Sequence, residues 1–482
     1  MEQVQQQSFE NVKKGPIVAV LLFGAFVAIL NETLLNTALP QIINEFKISP
    51  NKAQWLTTAF LLTNGVMIPI SAFFIEKFPM RKLFLTAMCI FTAGTLVGAI
   101  STTFTLLLVG RVVQAAGAGI MMPLMMTAFL TIFPPDKRGA AMGMAGLVIS
   151  FAPAIGPTLS GFLVEFYSWR LLFYVVLPFA VIEIVFAALL LKNVTNLTNP
   201  KVDVLSIFLS SVGFGGLLYG FSIAGEKGWS SLQVETSLAI GAVVLVLFIW
   251  RQLSIKTPML EFRVFKFSMF SLTLFIGMVV IMAMLGAELL LPIYMQNMRG
   301  FTALESGLVL LPGAIVMGIM SPITGMVFDK IGARWMAVSG LGITTITTFL
   351  FTDLNESTSF TFITVIYAIR MLGLSLAMMP VMTAGLNQLP QRLHPHGTAM
   401  ANTLQQIAGS IGSALLVTVM TIQAKGQIDE ANGMPLIHGL NAAFMVATGL
   451  ALLTVIMSFF IKRTSPQEES DGQNKEQEVQ ES

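Results

Sequence analysis

Fourteen stretches of the chain are long and apolar enough to cross a membrane as helices. A hydrocarbon core about 30 Å thick requires about 20 apolar residues in a helix, and charged residues or Pro/Gly clusters bound each stretch. The stretches lack the polar alternation of a transmembrane β-barrel. We therefore predict an all-α polytopic membrane protein. The predicted spans are residues 16–38, 53–75, 83–102, 105–133, 139–166, 170–191, 203–224, 235–253, 268–295, 303–328, 335–352, 358–389, 397–421 and 438–461.

The composition argues against several other classes of protein. Only 11% of the residues are charged, against roughly 25% in a soluble protein, which disfavours nucleic-acid binding. The single Cys89 and the three histidines form no disulfide framework and no zinc pattern. A nucleotide-binding G-x-x-x-x-G-K-[ST] loop and a clustered Ser/His/Asp site are also missing. We expect no catalytic site, no metal site and no cofactor.

Lysine and arginine are distributed unequally between the loops on the two sides. Nineteen of the 27 basic residues fall in loops of one side and six in loops of the other, while Arg111 and Arg370 lie within spans. Basic loops stay inside the cell, so both termini are predicted to be cytoplasmic. Residues 1–15 lack a signal-peptide layout, and the acidic, Gln/Ser-rich residues 462–482 are predicted to form a disordered tail.

The two halves of the chain contain related segments. Residues 72–81 (AFFIEKFPMR) and 325–334 (GMVFDKIGAR) have an acid, a base and a final Arg at the same spacing, 253 residues apart. A six-helix unit is therefore predicted to occur twice, with two helices inserted between the copies. Two similar bundles around a central cavity are typical of alternating-access carriers. The predicted division is a first bundle at 16–191, the inserted helices at 203–253 and a second bundle at 268–461.

Several motifs on these spans carry a family resemblance. The second related segment satisfies G-x-x-x-D-[RK]-x-G-x-[RK] without a departure, whereas the first has Ala72 and Pro79 in the glycine places and Glu76 for the acid. Residues 108–119 contain an Arg/Gln/Gly motif, and residues 153–161 contain G-P-x-x-S-G. These motifs, in this order, resemble the major facilitator superfamily and its fourteen-span drug:proton antiporters of the EmrB/QacA type. The sequence is similar to lincomycin-resistance efflux proteins of Gram-positive bacteria.

The short turns of the two related segments are candidates for a cytoplasmic gate. Asp329 can interact with a helix N-terminus and with a basic side chain of a neighbouring span, so that the contact closes the cytoplasmic side and releases during rocking. A topology anchor is the alternative, but an anchor would need only the basic residues. The predicted gate residues are Glu76, Lys77, Arg81, Asp329, Lys330 and Arg334.

Glu32 in the first span is a candidate proton site, because ionisable residues inside a membrane cost about 3 kcal/mol or more. The resembled family usually has its acid one residue earlier, where this chain has Asn31. If Arg111 meets this polar face, protonation of Glu32 weakens their pairing and couples proton uptake to helix movement. A static buried pair is the alternative. Asn36 shares a helix face with Glu32, and Gln114 shares one with Arg111. The residues predicted to line the substrate cavity here are Asn31, Asn36 and Gln114.

Glu288 in the ninth span is predicted to be a second proton or cation site. Aligning residues 39–40 with 291–292 places it opposite Asn36 in the second bundle, at the cavity. A carboxyl there can carry a proton or accept a cationic drug, whereas a permanently protonated structural glutamate is the alternative. Glu183 in the sixth span is a weaker candidate, because a peripheral helix can turn it toward lipid.

Two further groups of residues are assigned to transport. Flexible methionine side chains, here Met122 and Met284, suit a cavity that binds several ligands, although helix packing explains many of the 30 methionines. The resemblance links the fifth-span motif to export, and its residues are expected to kink that helix and to pack it against the other bundle. These residues are Pro153, Gly156, Pro157 and Gly161.

These features predict a proton-coupled multidrug efflux transporter of the bacterial cell membrane. Such a drug:proton antiporter exports amphiphilic or cationic drugs, such as lincosamides, by alternating access. We expect a monomer whose partners are small-molecule drugs, protons and membrane lipids, and which uses the proton gradient and no cofactor. One charge crossing 100 mV is worth about 2.3 kcal/mol, so about one or two protons can drive uphill export without ATP. A dedicated exporter of one metabolite, peptide or lipid precursor with the same fold is the alternative.

Overall fold

A computed structural model describes the chain over residues 14–35, 38–194, 197–198, 200, 202–425 and 435–462. Within these residues it contains helices and no strand. Fourteen of the described helices are long and apolar enough to span a membrane, which confirms the predicted spans. Almost all of the predicted N-terminal segment and of the predicted tail lies outside the described residues.

The fourteen long helices are numbered here in chain order. A further helix of eight residues, Leu39–Phe46, follows the first of them. The fourteen are α1 (Lys14–Leu34), α2 (Pro50–Lys77), α3 (Met80–Ala99), α4 (Phe104–Ile132), α5 (Arg138–Phe166), α6 (Arg170–Leu190), α7 (Val204–Lys227), α8 (Leu232–Ser254), α9 (Ser268–Ile293), α10 (Ala303–Ile331), α11 (Ala333–Leu350), α12 (Phe360–Leu386), α13 (His394–Lys425) and α14 (Pro435–Ser458).

Short connections join successive helices, so neighbours along the chain run in opposite directions. We call the end at which α1 begins and α14 ends the terminal face, and the other end the distal face. At the distal face, the hydroxyls of Ser49, Thr103 and Ser359 accept a backbone N–H from the first turn of α2, α4 and α12. Thr302 and Glu305 form a capping box at the start of α10. Such caps satisfy N–H groups that have no partner within the helix.

The interior follows the two repeats. Buried apolar side chains of α1–α6 form one cluster, which also reaches α7, α8, α9, α12 and α13, and those of α9–α14 form a second cluster. Each bundle also contains a fully buried arginine. Arg111 in α4 donates to the Asn31 carbonyl of α1, and Arg370 in α12 donates to the Ala283 carbonyl of α9. The repeat predicted from the sequence is therefore present in the packing of the helices.

The inserted helices α7 and α8 form a hairpin outside the two bundles. The two helices approach closely where Gly216 faces Gly241. A Cβ on Gly216 would lie only 2.9 Å from the Gly241 Cα. α8 exposes much of its surface, and Trp250 there is 70% exposed. α7 packs against both α2 and α13. The pair is peripheral, but one of its helices contacts both bundles.

An ion pair closes the base of this hairpin at the terminal face. Arg251 near the end of α8 donates from Nε and NH2 to the two carboxylate oxygens of Asp203, both at 3.1 Å. Asp203 also accepts the backbone N–H of Ser206 and so caps α7. Burial alone would raise the pKa of Asp203, but the hydrogen bonds from Arg251 and Ser206 and the charge of Arg251 outweigh burial and lower that pKa below its ordinary value.

Replacing Asp203 should destabilise the hairpin in two steps. Asp203→Asn keeps a helix cap but loses an ion pair worth up to about 1 kcal/mol, and Asp203→Ala loses the cap as well, for about 1 kcal/mol more. A carboxyl whose pKa is lowered in the folded state stabilises the folded protein fully above its ordinary pKa of about 3.9. This stabilisation is lost as the pH falls through the pKa of the folded state. In thermal unfolding of the purified protein, the midpoint of Asp203→Asn should therefore lie below that of wild type at neutral pH. This difference between the midpoints should narrow below pH of about 4.

The exposed Asp353 provides the control for this experiment. Asp353→Asn should leave the unfolding midpoint unchanged at both pH values. A midpoint for Asp203→Asn equal to that of wild type at neutral pH would contradict the stabilising role of the ion pair.

Candidate functional site

A cavity that is partly open to solvent lies between the two bundles. Helices α1, α2, α4 and α5 contribute one side of its wall, and α9, α12 and α13 contribute the other. Among the described lining residues are one carboxyl, four amides and five methionines. The lining residues are Ala28, Ile29, Glu32, Asn64, Ile68, Ala118, Gly119, Met122, Met126, Ile149, Ile281, Leu285, Met378, Met379, Met382, Asn402, Gln405 and Gln406. A ligand with an apolar body, a positive charge and hydrogen-bonding groups would match this wall.

Only some of the side chains predicted for this cavity line it. Met122 does, and so does Glu32, which was predicted as a proton site. Met284 does not, and its prediction was wrong: it packs against the apolar core of the second bundle. The reason is helix rotation, since Met284 points about 100° away from its neighbour Leu285, which faces the cavity. Asn36 lies outside the described residues.

The four amides were missed by the sequence reasoning, which searched the spans for charged residues. A signal was available, because amide groups inside apolar spans are costly unless they are paired or reach a polar cavity. They come from α2 in the first bundle and α13 in the second, so both bundles offer hydrogen-bonding groups to a ligand. These amides are Asn64, Asn402, Gln405 and Gln406.

Arg111 is fully buried within the first bundle. Its NH1 group donates to Asn31 Oδ1 at 2.8 Å and to Gln114 Oε1 at 3.1 Å. Its guanidinium carbon lies 4.1 Å from the centroid of the Phe60 ring. The NH2 group has no hydrogen-bond acceptor in the described part of the chain. Arg111 and Glu32 interact electrostatically, but no hydrogen bond or ion pair between them occurs among the described residues.

Glu32 and Arg111 therefore do not form the expected direct pair, and two adjacent residues of α1 contact different surroundings. Adjacent helical residues point about 100° apart, so Asn31 faces Arg111 while Glu32 faces the cavity. Asn31 and Gln114 are only 3% and 0% exposed. The prediction that they line the cavity was wrong, because both are used to hold the arginine.

The second bundle repeats part of this arrangement. Arg370 donates to Thr348 Oγ1 at 3.2 Å and to the Ala283 carbonyl at 3.1 Å. Glu288 interacts electrostatically with Arg370. It does not belong to the described cavity wall, contrary to its prediction. Glu288 lies about one turn beyond Leu285 on α9, so the carboxyl is displaced toward the distal face.

Glu183 is the other acid buried within a span. It is fully buried in α6, and neither of its carboxylate oxygens has a hydrogen-bond partner among the described residues. A Cβ on Gly24 of α1 would lie 3.4 Å from one of these oxygens. Glu183 therefore lies between α1 and α6 and not in the described wall of the cavity.

The two bundles meet at the terminal face, where α5 packs against α10. Asp329 of α10 accepts hydrogen bonds from the backbone N–H groups of Gly139 at 2.8 Å and Ala140 at 2.9 Å, in the first turn of α5. A helix N-terminus carries partial positive charge, so it stabilises the carboxylate. The close approach requires glycine, because a Cβ on Gly139 would lie 2.5 Å from the carbonyl oxygen of Gly325.

Two further contacts join the bundles at the same face. His396 Nε2 of α13 lies 3.0 Å from Glu76 Oε1 of α2. Arg138 at the start of α5 donates to Asn387 Oδ1, just after α12, at 3.0 Å. Sequence reasoning missed Arg138, Asn387 and His396. The repeat held a signal for two of them, since an offset of 258 residues relates Arg138 to His396.

The four basic residues predicted for the gate do not join the bundles in the described contacts. Arg81 donates to a backbone carbonyl of α6 in its own bundle, and Lys77 lies over an aromatic ring of its own helix. Lys330 and Arg334 are exposed. The expectation of a basic partner for the gate aspartate was therefore wrong, because backbone N–H groups at the start of α5 take that place.

The distal halves of α5 and α10 are apart. Eighteen residues make five helical turns, so Gly161 shares a face of α5 with Gly143, and Gly307 shares a face of α10 with Gly325. A Cβ on Gly143 would lie 2.5 Å from the Ser321 carbonyl oxygen, whereas a Cβ on Gly161 or Gly307 would meet nothing within 4 Å. The molecule is closed at the terminal face and open between these helices at the distal face.

The proline and glycine residues of the fifth span do not interrupt α5. Gly156 packs against α1, where a Cβ would contact the Thr33 hydroxyl. Pro153 is exposed, Gly161 faces open space, and the side chain of Pro157 is not among those described. The expected packing of this segment against the other bundle was wrong for this conformation, because α5 meets α10 nearer the terminal face.

Fold and cavity together define a class of protein, a multi-pass membrane transporter in which two six-helix bundles surround a central cavity. Among the described residues, no group of three His, Cys, Asp or Glu side chains could hold a metal ion. The model of the Major Facilitator Superfamily matches residues 21–413, and the chain belongs to this superfamily. Its members are transporters that work without a cofactor and are not enzymes, in agreement with the expectations from the sequence.

Similar proteins support the same assignment. The chain is 56% identical to the uncharacterized MFS-type transporter YcnB of Bacillus subtilis (strain 168), over 98% of each chain. It is 44% identical to the lincomycin resistance protein LmrB of the same organism, over 94% of this chain and 97% of LmrB. The crystal structure of the human organic anion transporter MFSD10 superimposes with a TM-score of 0.68 at 13% identity, over 92% of this chain and 99% of that one. The resemblance to lincomycin-resistance proteins is confirmed, and the structural likeness shows the fold.

Proposed function

We propose that this transporter is a drug:proton antiporter, which exports amphiphilic or cationic drugs such as lincosamides in exchange for protons. The observation that carries the proposal is the position of Glu32, the carboxyl among the described lining residues of the cavity. A half-buried carboxyl in a largely apolar cavity can bind either a proton or a cationic ligand. The similarity to a lincomycin resistance protein supports the choice of substrate class.

The buried arginine next to the cavity supports a coupling step. An ionised Glu32 attracts Arg111, whose NH2 group has no described acceptor. Protonation of Glu32 removes this attraction and the attraction for a cationic drug at the same moment. Proton uptake from the distal side would therefore expel the drug and change the force between α1 and α4.

Alternating access supplies the direction of transport. The conformation described here is closed at the terminal face and open at the distal face, which fits the step at which drug leaves and a proton enters. Rocking of the bundles would then expose Glu32 to the terminal side, where the proton leaves and drug binds. Glu288 beside Arg370 is proposed as a second proton site in the equivalent helix of the second bundle.

We also propose that the terminal face lies in the cytoplasm, with both chain termini. Nineteen of the 27 basic residues fall in the loops assigned to that side, as the distribution of Lys and Arg in membrane proteins requires. Export then runs from the terminal face to the distal face.

Purified protein in liposomes tests this proposal. With an imposed pH gradient, addition of a lincosamide or a cationic dye should cause proton flux, and the two drugs should compete. Uphill drug movement without proton flux would reject antiport. Transport of one metabolite, peptide or lipid precursor that no drug inhibits would establish the dedicated exporter instead.

A further inference from the structure

The inserted helix α7 lies between α2 of the first bundle and α13 of the second. In the terminal half, α2 and α13 contact each other directly through Glu76 and His396. This direct contact extends to Gly65, where a Cβ would lie 3.7 Å from Gln406 Cγ. Nearer the distal face, α7 contacts both helices. We call this line of contact among the three helices the rear seam.

Leu218 is central to the contact of α7 with α2. It is 3% exposed, and it occupies the space that a Cβ on Gly65 would need. Because Gln406 lines the cavity next to Gly65, Leu218 lies directly behind the cavity wall. Tyr219 stacks on Trp55 of α2, with ring centroids 5.7 Å apart and 28° between the ring planes.

Contacts on the other side of α7 are made with α13. The two helices share a small apolar cluster. A Cβ on Gly225 would lie 3.8 Å from Val417 Cβ. Trp229, just after α7, donates from Nε1 to Thr418 Oγ1 at 2.8 Å. α7 is therefore packed against both bundles at once in the distal half of the rear seam.

This arrangement matters for alternating access, because the distal halves of the bundles have to approach each other when the terminal face opens. On the opposite side of the molecule, the space at Gly161 and Gly307 can close directly. In the rear seam, a packed helix occupies the corresponding space. Since packed interiors do not compress, α7 has to lose contact with α2 or with α13 before the distal face closes.

We infer that α7 acts as a wedge in the rear seam. It holds the distal halves of α2 and α13 apart, separates the cavity from lipid on that side, and leaves one bundle in each transport cycle. This inference rests on alternating access, which belongs to the proposed function, but not on protons or on drugs as substrates.

Disulfides between α7 and the bundles test the wedge. In a Cys89→Ala background, one tether joins α7 to α2 through Val66→Cys and Gly215→Cys, since a Cβ on Gly215 would lie 3.3 Å from Val66 Cγ2. The other joins α7 to α13 through Gly225→Cys and Val417→Cys, whose Cβ separation of 3.8 Å suits a disulfide. With both tethers closed, transport should stop, and a reductant should restore it.

A matched control ties α7 only to its hairpin partner α8. Gly213→Cys and Leu245→Cys place two Cβ atoms 3.2 Å apart, and this disulfide should leave transport unchanged. Full transport by the doubly tethered protein would overturn the inference. If the untethered parent exports no drug, the proposed function fails, and the following measurement decides the wedge without a substrate.

Closure of the distal face can be followed by cross-linking Gly161→Cys to Gly307→Cys. Tyr219→Ala removes an aromatic pair worth about 1 kcal/mol, so distal closure and the cross-linking rate should rise about fivefold. The exposed Leu247 on α8 provides the control variant Leu247→Ala, which should leave the rate unchanged. An unchanged rate in both Tyr219→Ala and Leu218→Ala would reject the wedge.

Discussion

Glu32→Gln should abolish drug export driven by a pH gradient, with a loss of about 30-fold or more, because removing one partner of a buried charge interaction costs about 2–5 kcal/mol. Glutamine fills the same space but neither ionises nor takes up a proton. The variant loses the charge that attracts a cationic drug and the switch that acts on Arg111. Drug binding to Glu32→Gln should be weaker than binding to wild type and should no longer change with pH, whereas acid should displace drug from wild type. Binding by purified protein and uphill uptake into vesicles measure the two effects.

Another buried glutamate provides the matched control. Glu183 is fully buried but lies between α1 and α6, so Glu183→Gln should retain export. Glu32→Asp keeps the carboxyl and should retain pH-dependent binding. Normal uphill export by folded Glu32→Gln, or an equal loss in Glu183→Gln, would remove Glu32 from the mechanism. Loss of export with retained drug binding in Glu288→Gln would support a second proton step there.

The fold could be predicted because the bilayer restricts it so strongly. Each crossing needs about 20 apolar residues whose backbone groups bond within the helix, and this requirement is visible directly in the sequence. The internal repeat also predicted that the two halves of the chain form similar six-helix bundles. Arg111 and Arg370 lie 259 residues apart, close to the offset of the repeat, and in the structure each donates to the first helix of its own half.

The site was harder to predict, because it depends on the rotation of each helix about its axis. Asn31 and Glu32 are adjacent in sequence, but one holds Arg111 and the other faces the cavity. Met284 and Leu285 differ in the same way. These spans are apolar on almost every side, so hydrophobic periodicity gives little information on which face meets the cavity.

The identity of a charged residue does not show which neighbouring helix it will contact. For Asp329 we predicted a helix N-terminus and a basic side chain as partners, and the described partners are two N–H groups at the start of α5. The position of α7 was hidden for a related reason. Its sequence marks a membrane span, but the space beside Gly65 that receives Leu218 exists only after α2 has packed.

Asp329→Asn should shift the molecule away from the conformation that is closed at the terminal face. The carboxylate accepts two backbone N–H groups, at 2.8 and 2.9 Å, and hydrogen bonds to a charged group are worth about 1.5–3 kcal/mol each. Asparagine keeps one acceptor oxygen but turns an NH2 group toward the second N–H. A net loss of about 2 kcal/mol changes the ratio of the two conformations about 30-fold.

The change in conformation can be measured at the distal face, as the rate of cross-linking between Gly161→Cys and Gly307→Cys. This rate should rise when Asp329→Asn is added. Substrate binding should remain, because Asp329 lies at the terminal face and outside the described cavity wall. Asp353, an exposed acid just after α11, provides the control, and Asp353→Asn should leave the rate unchanged. Lost binding in a folded Asp329→Asn protein, with cross-linking as slow as in the parent, would refute the gate. In that case the charge of Asp329 would not be what holds α10 against the first turn of α5.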